Sequence, residues 1–442
     1  MTASPLPSLA ARPTAAPFAG ALRNADRALI FIGFLMLLEV VKFLIVGNAE
    51  AEDLTGAGNP LARALWFPFY LGLILALGAR IGALLRVLLP AWPIFALLLV
   101  TAASQIWSVV PEITARRAVA VTFTVMFGVY LALREDRLDT LRAAGAAMFA
   151  AAVFNLGAVL ALPGVGVDQA EHAGAWKGIT VEKNALGGEM ARAGLVLLSL
   201  AYADRRGRAV WLAGFALTAL LVLGSTSRTA LLALAFPVTV FGLYLLGRRS
   251  PVVALGVFYL SATVAGAAAL FVWLAPEQAV GLIGKDLTLT GRTGIWEACL
   301  TKIMEAPWTG YGLGAFWAEP YGPSYDVRMQ VEWIVPSAHN SWIETGLALG
   351  YPGMALLGVI VALAMIRSGL AVLGGATPWV FLGLVQLALF SMSESLIFWH
   401  PNTFSCTLFA FYATAALMPA ARRARPVPEI APRARLQAAP AV

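Results

Sequence analysis

Three isolated cations and a histidine have side chains and neighbours that are typical of binding or catalytic residues. They are Lys183, Arg228, Arg292 and His339. Each lies beside Ser, Thr, Gly, Asn or Trp residues, in a connection or at the edge of an apolar segment, outside the arginine runs found elsewhere. A guanidinium offers a planar fork of donors to anionic oxygens, and an imidazole exchanges a proton near neutral pH. The set predicts a site that binds an anionic group and moves a proton beside it.

Arg228 and Arg292 lie in segments suited to an anion. Arg228 belongs to the polar turn 225–229, where Ser and Thr can cap the following helix and leave its amides and dipole facing a ligand. Arg292 lies between Gly291 and Gly294, just before a helix-forming segment. The alternatives are a snorkelling arginine at position 228 and a surface salt bridge at position 292.

Lys183 and Asn184 precede an apolar segment that contains Glu189 and Arg192. A charge at membrane depth is costly and is usually functional or paired. Glu189 and Arg192 have the spacing that lets side chains meet on one helix face, so Arg192 is predicted either to pair or to bind the ligand. The only acid near Lys183 is its neighbour Glu182, which favours a binding role for Lys183, supported by Asn184.

His339 lies where a long polar loop meets an apolar segment. At such a boundary an imidazole can act as a general base, and Asn340 or Glu344 is predicted to orient it. The alternative is a structural, hydrogen-bonding histidine.

The composition places these residues in a membrane protein. Of the 442 residues, 60% are hydrophobic and 12% charged, which is more apolar surface than a soluble core would bury. The net charge of +7 comes from scattered positions and not from one basic stripe, so nucleic acid is not an expected partner. Cys299 and Cys406 have neither a disulfide nor a metal-ligand spacing and are predicted to be packing residues.

Apolar runs long enough to cross a bilayer predict an all-α, polytopic fold with about twelve transmembrane helices. Pro90 and Pro93 interrupt one of these runs, so the amphipathic stretch 80–89 before it is expected to lie at the interface. The predicted spans are 28–46, 61–78, 92–107, 117–133, 143–162, 184–203, 209–224, 228–246, 251–275, 340–365, 377–393 and 402–420.

The distribution of Lys and Arg predicts the orientation. With the N-terminus in the cytoplasm, most of the 31 Lys and Arg residues fall on the cytoplasmic side, and all 3 His fall on the other side. This arrangement predicts a cytoplasmic N-terminal tail 1–27, a membrane domain 28–420 and a basic cytoplasmic tail 421–442. Because residues 1–27 contain no apolar run, no cleavable signal is expected.

One connection, 276–338, is long and rich in Trp and Tyr. Residues 291–305 have helical character, and we expect short amphipathic helices on the membrane surface. The Gly-x-Gly pattern at 310–314 follows Pro307 and no strand, so it does not indicate a nucleotide site. The apolar face predicted for 291–305 consists of Ile295, Trp296, Cys299, Ile303 and Met304.

The order of these motifs resembles that of the O-antigen ligase and polymerase superfamily, over most of residues 28–420. In size and layout the chain is most similar to O-antigen ligases, which transfer polysaccharide from undecaprenyl pyrophosphate to the lipid A–core oligosaccharide in the bacterial periplasm. The matching motifs are Lys183-Asn184, Ser227-Arg228, Gly291-Arg292 with Trp296, Pro307 with Gly310-Tyr311-Gly312, and His339-Asn340 with Glu344-Thr345-Gly346.

The resemblance implies an inverting glycosyltransferase of the inner membrane, with a periplasmic active site. Arg228 and Arg292, with Lys183 and Arg192, would bind the pyrophosphate and stabilise charge on the leaving group. His339 would accept the proton of the attacking hydroxyl. Neither metal nor nucleotide is expected, since the periplasmic acids show no paired Asp-x-Asp arrangement. The expected partners are the lipid-linked glycan, lipid A–core and membrane lipids.

Other functions stay open at this point. A polymerase that extends the lipid-linked glycan, or a ligase that delivers it to protein, would use the same anion site and histidine. A transporter or flippase would use Glu39 with Lys42, and Glu189 with Arg192, as coupling pairs, but the chain shows no internal repeat.

Overall fold

The computed structural model is all-helical. It describes residues 15–47, 59–170, 172–250, 292–332, 334–397 and 402–417, and within 251–263 the positions 252, 253, 255–257, 259, 260 and 263. The described helices are α1 Ala15–Leu37, α2 Val40–Val46, α3 Pro60–Ala64, α4 Trp66–Gly78, α5 Ile81–Leu88, α6 Trp92–Ala103, α7 Pro111–Leu133, α8 Arg137–Ala161, α9 Pro163–Gly166, α10 Lys183–Ala203, α11 Arg208–Gly224, α12 Arg228–Arg249, α13 Arg292–Glu305, α14 Tyr325–Val331, α15 Ser341–Leu373, α16 Trp379–Ser391 and α17 Thr403–Leu417.

The predicted spans overlap with these helices, except for 251–275, most of which lies outside the described residues. Within the described part, 5 helices are long and apolar enough to cross a membrane, or up to 7 if each of two bent pairs is one span. Helices α11, α16 and α17 are shorter and apolar. The chain is therefore a multi-pass membrane protein, and the number twelve stays a prediction.

Both bent pairs have a local cause. Helices α1 and α2 meet at 68°, and Glu39 between them has a left-handed backbone with φ of 61°. Helices α5 and α6 meet at 92°, at the segment that contains Pro90. A proline cannot donate to the preceding turn, so the helix breaks there as the sequence predicts.

Helices α7 and α17 approach each other closely at a glycine of α7. A Cβ atom built on Gly128 of α7 would lie 2.4 Å from the carbonyl oxygen of Cys406 in α17. Small residues at such crossings let two backbones pack directly, as in other membrane bundles. Cys406 and Cys299 are both buried free thiols, and burial raises the pKa of the Cys299 thiol above its ordinary value.

Arginines predicted to anchor the cytoplasmic ends also bind buried acids. Arg80 donates to the Asp26 carboxylate at 2.6 Å, and Arg142 forms a two-point contact with Asp204 at 2.8 Å for each oxygen. The Arg142 guanidinium holds the pKa of the Asp204 carboxyl well below its usual range. These arginines therefore join helices, in addition to the anchoring role that the sequence predicts for them.

The long loop contains a small core of its own. Ile295, Cys299 and Ile303 of α13 are buried as predicted and pack with residues of α14 and the start of α15. Met304, which the sequence pattern predicts on the same face, is 71% exposed. The buried stripe is Ile295, Ala298, Cys299 and Ile303. At about 100° of rotation per residue, Met304 comes nine positions after Ile295 and therefore lies on the opposite side of the helix.

The glycine pattern of the loop binds the broken helix α15. Gly310 and Gly312 have left-handed backbones, and the amides of Tyr311 and Gly312 donate to the carbonyls of Leu347 and Ala348 at 2.8 and 3.0 Å. The helix is broken at Gly350, whose φ is 64°. The pattern therefore fixes the loop to a membrane helix, which explains these glycines without a nucleotide.

Replacing Gly310 by alanine is expected to destabilise the fold by about 2 kcal/mol or more, because strained backbone and steric clash act together. Its φ is 62°, and a Cβ atom there would lie 2.6 Å from the backbone of Ala348 and Leu349. Thermal unfolding of the purified protein in detergent measures the change. The control is Gly82→Ala, since nothing lies within 4 Å of a Cβ at Gly82. Equal melting temperatures for the two variants would contradict this packing.

Candidate functional site

His339 lies in a strained turn immediately before α15. Its backbone φ is 49°, in the left-handed region that few residues other than Gly and Asn adopt. The ring is mostly buried, with 12% of the side chain exposed, and its Nδ1 atom lies 3.3 Å from Oε2 of Glu394. The imidazole is thus fixed at the junction of the long loop and the helix bundle.

Arg292 binds the other oxygen of the same carboxylate. Its Nη2 donates to Oε1 of Glu394 at 2.9 Å, and its Nη1 donates to the carbonyl of Ser393. Glu394 is 4% exposed, so it joins the arginine and the histidine within the protein. We call Arg292, Glu394 and His339 the Arg–Glu–His cluster.

The start of α15 is tied to the segment that contains Glu394. The Asn340 side chain caps α15 by accepting from the amides of Trp342 and Ile343 at 2.9 and 3.2 Å, and it donates to the carbonyl of Met392 at 3.2 Å. The Ser341 hydroxyl donates to the carbonyl of Glu394 at 2.7 Å. These hydrogen bonds fix the position of the turn that contains His339 relative to Glu394.

Glu344, in the first turn of α15, also binds the turn that contains His339. Its carboxylate accepts from the amide of Ala338 at 2.5 Å, from the Trp317 indole at 3.1 Å and from the Ser395 hydroxyl at 3.2 Å. The sequence suggested Asn340 or Glu344 as the group that orients the imidazole. In the structure both residues fix the backbone around His339, and the carboxylate that contacts the ring is that of Glu394.

Lys183 and Arg228 form a second group of cations. Lys183 Nζ lies 3.5 Å from the Thr226 hydroxyl, which brings the first turn of α10 to the turn before α12. Arg228 is exposed at the first position of α12. The Ser227 hydroxyl caps that helix by accepting from the amide of Ala230 at 3.4 Å, as the sequence predicted.

Glycines in α10 allow this arrangement. A Cβ on Gly187 would lie 2.7 Å from Ser225 Oγ, and one on Gly188 would lie 3.1 Å from the Phe404 ring and 3.4 Å from the Phe390 ring. Phe390 and Phe404 flank the segment that contains Glu394. The second group of cations and the Arg–Glu–His cluster therefore lie at the same end of the helix bundle. Asn184 lies in the first turn of α10, partly exposed.

A comparison with known families matches part of this region. Residues 213–358 match the family model described as O-antigen ligase. That stretch is an O-antigen ligase family domain. It contains Arg228, Arg292 and His339, together with the glycine pattern and the break in α15.

The chain is also similar to a curated protein. Over 90 residues the chain is 33% identical to the exopolysaccharide production protein ExoQ of Rhizobium meliloti (strain 1021). The overlap covers 19% of this chain and 20% of that protein. The similarity thus spans about a fifth of the relative's length.

Glu394 lies outside the O-antigen ligase family domain, and the sequence did not indicate it. The sequence feature that could have indicated Glu394 is a polar stretch between two apolar segments, Ser391-Met392-Ser393-Glu394-Ser395. An acid among serines at the end of a span is a reasonable partner for the cations of the same face. Nothing in the chain order indicates, however, that it contacts the domain's arginine and histidine.

Arg192 is also outside the O-antigen ligase family domain, and the structure does not bring it to the Arg–Glu–His cluster. Its guanidinium is buried, donates to the Thr407 hydroxyl at 2.8 Å and lies 4.2 Å from the Phe404 ring centroid. Glu189 accepts from the Thr403 hydroxyl. Both side chains thus bind α17, and they form no direct ion pair with each other. Pyrophosphate binding by Arg192 stays a prediction.

The Arg–Glu–His cluster can support proton transfer. An ionised carboxylate only accepts hydrogen bonds, so contact with Glu394 places the proton of a neutral imidazole on Nδ1 and leaves a lone pair on Nε2. Arg292 neutralises the buried carboxylate. Within the described residues, no group of three or more His, Cys, Asp or Glu side chains has the arrangement of a metal site.

Proposed function

We propose that this chain is an O-antigen ligase of the bacterial inner membrane. It transfers polysaccharide from undecaprenyl pyrophosphate to a sugar hydroxyl of lipid A–core at the periplasmic face, without metal or nucleotide. The observation that supports this most strongly is the Arg–Glu–His cluster, two members of which lie in an O-antigen ligase family domain. The polarity of the Lys and Arg distribution supports the periplasmic orientation.

The chemistry is a single displacement. The acceptor hydroxyl oxygen attacks the anomeric carbon while His339 Nε2 takes its proton. The bond between the anomeric carbon and the pyrophosphate oxygen breaks, and its electron pair leaves with the pyrophosphate. Arg292, Arg228 and Lys183 stabilise the charge that grows on that oxygen. Attack from the face opposite the leaving group inverts the anomeric configuration.

A glycan polymerase is the second candidate. The observation that favours it is the overlap with a protein named for exopolysaccharide production. A transporter is less well supported, because only one of its two proposed coupling pairs is in contact. Lys42 lies 3.5 Å from Glu39, whereas Glu189 and Arg192 bind different partners on α17.

An acceptor comparison tests the proposal. The purified chain receives a lipid-linked glycan, chelator and no nucleotide, with lipid A–core, a second lipid-linked glycan or a protein as acceptor. We expect the lipid A–core conjugate. If the only product is an elongated lipid-linked glycan, the chain is a polymerase and not a ligase. Glycan transport into vesicles without a new glycosidic bond would exclude both functions.

Glu394→Gln is expected to lower kcat on the order of tenfold to a hundredfold, because Glu394 positions His339 and does not contact the substrate. The glutamine amide can donate to Nδ1, and this would favour the imidazole tautomer that has its proton on Nε2. The acidic limb of the rate–pH profile should shift while KM for the donor stays near the wild-type value.

The matched control is Glu297→Gln, an exposed acid on the helix that begins with Arg292. It should leave kcat and the pH profile unchanged. A loss of activity in Glu394→Gln that followed only the amount of folded protein, with an unaltered pH profile, would show a purely structural role.

A further inference from the structure

A cavity of about 740 Å³ lies where α10 ends, α11 begins and α12 ends. Its apolar wall includes Leu212 of α11 and Phe241 and Leu245 of α12. The Phe241 ring packs against the rings of Tyr202 and Trp379, at centroid distances of 5.4 and 4.1 Å. The apolar wall is therefore fixed by an aromatic cluster that joins three helices.

This cavity and the proposed transfer site lie at opposite ends of α12. Arg228, which belongs to the second group of cations, is the first residue of this helix, and Arg249, which lines the cavity, is the last. A helix of 22 residues is about 33 Å long, close to the thickness of the hydrocarbon core of a bilayer. The cavity therefore lies at the other membrane surface, which the distribution of Lys and Arg predicts to be the cytoplasmic one.

Three exposed arginines line the cavity, Arg208 at the start of α11 and Arg248 and Arg249 at the end of α12. The Nε atom of Arg208 donates to a backbone carbonyl of α10 at 3.1 Å, which holds this side chain beside the cavity. Asp204, the acid that precedes α11, is bound by Arg142. Within the described residues, no carboxylate forms an ion pair with any of the three arginines. Their positive charge is thus accessible to a ligand and is not neutralised by this part of the protein.

We propose that this cavity binds one anionic glycerophospholipid of the adjacent leaflet. Its phosphate accepts from the guanidinium groups of Arg208 and Arg248, Arg249 adds positive charge, and its acyl chains lie along Leu212 and Leu245. Guanidinium groups match phosphate oxygens with paired donors, and basic pockets between transmembrane helices suit such headgroups. A soluble phosphate ester would use the charge but leave the apolar wall uncovered, so the combination favours a lipid. This site is separate from the proposed transfer site and does not depend on it.

Gly242 of α12 lines the cavity and offers a way to fill it. Nothing lies within 4 Å of a Cβ atom built there, so a phenylalanine can enter the cavity without a clash at the backbone. Gly242→Phe should therefore exclude the lipid while all three arginines remain. The matched control is Gly157→Phe on α8, because Gly157 is also exposed and also has nothing within 4 Å of its Cβ position.

Native mass spectrometry of the purified full-length chain in neutral detergent counts bound lipids and gives their dissociation constants. We expect one saturable adduct of dioleoyl phosphatidylglycerol. Phosphatidylcholine with the same acyl chains should bind at least about tenfold more weakly, because its choline cation opposes the arginines. Glycerophosphoglycerol, the same headgroup without acyl chains, should not displace the lipid even in large excess. Equal affinity for the two lipids, or displacement by the soluble headgroup, would overturn the proposal.

Two variants test the two parts of the site, and each still decides if the other fails to fold. Arg208→Gln combined with Arg248→Gln should raise the dissociation constant for phosphatidylglycerol at least about tenfold, since charge-assisted hydrogen bonds are lost. Gly242→Phe should raise it as much with every arginine intact. The controls Gly157→Phe and Arg206→Gln, an exposed arginine that does not line the cavity, should match the wild type. An unchanged constant in the folded double arginine variant or in folded Gly242→Phe would overturn the proposal.

Discussion

Replacing His339 by asparagine is expected to lower the rate of glycan transfer by about 10²–10⁴-fold, the usual contribution of a general base. Asparagine tolerates the left-handed backbone of this position, where φ is 49°, so the turn before α15 should persist. Its amide cannot take a proton near neutral pH. Donor binding should stay within a few fold of the wild type, because the cations proposed to bind the pyrophosphate remain in place.

The measurement is single-turnover transfer by equal amounts of folded protein. His172→Asn serves as the matched control, since His172 is exposed in a connection and should leave the rate unchanged. Transfer by His339→Asn at more than about a tenth of the wild-type rate would remove His339 from the role of base.

Replacing Arg292 by alanine is expected to lower transfer by about 10²–10³-fold, the typical effect of removing a donor aimed at developing charge. The loss has two physical sources. In the proposed reaction the leaving pyrophosphate loses a guanidinium, and the buried Glu394 carboxylate loses the partner that binds it at 2.9 Å. A lysine at this position keeps the charge but not the planar fork, so Arg292→Lys should recover only part of the rate.

Steady-state kinetics with varied lipid-linked donor measures this effect. Arg116→Ala is the control, because Arg116 is exposed on α7 and belongs to neither group of cations. Full activity of Arg292→Ala would show that its contact with Glu394 is a structural salt bridge, the alternative that the sequence left open.

The helices were predictable because their signal is local. A long apolar run has few options in lipid, where every backbone polar group must be satisfied within the helix. The break before α6 was equally local, since Pro90 causes it. Gly310 was visible in the sequence, but its partner, the broken turn at Gly350 of α15, was not. That pairing depends on a tertiary contact between two backbones.

The candidate site was predictable only in part. Residue type and spacing indicated Arg292 and His339, whereas Glu394 lies 102 and 55 positions away from them. Sequence patterns do not reveal a contact across such distances. Arg192 shows the opposite limitation. Its spacing from Glu189 allowed a pair on one helix face, with ligand binding as the alternative. In the structure both side chains turn to α17, because Thr403 and Thr407 offer hydroxyl groups there.

The proposed transfer by a single displacement is tested most directly by the stoichiometry and anomeric configuration of the new glycosidic bond. The purified chain, supplied with undecaprenyl-pyrophosphate-linked glycan, lipid A–core and chelator, is analysed by mass spectrometry and by NMR of the new linkage. We predict one free undecaprenyl pyrophosphate for each conjugate formed, with an inverted anomeric configuration and no product in His339→Asn. Retention of configuration, or release of the lipid pyrophosphate without any new glycosidic bond, would contradict a direct transfer assisted by His339.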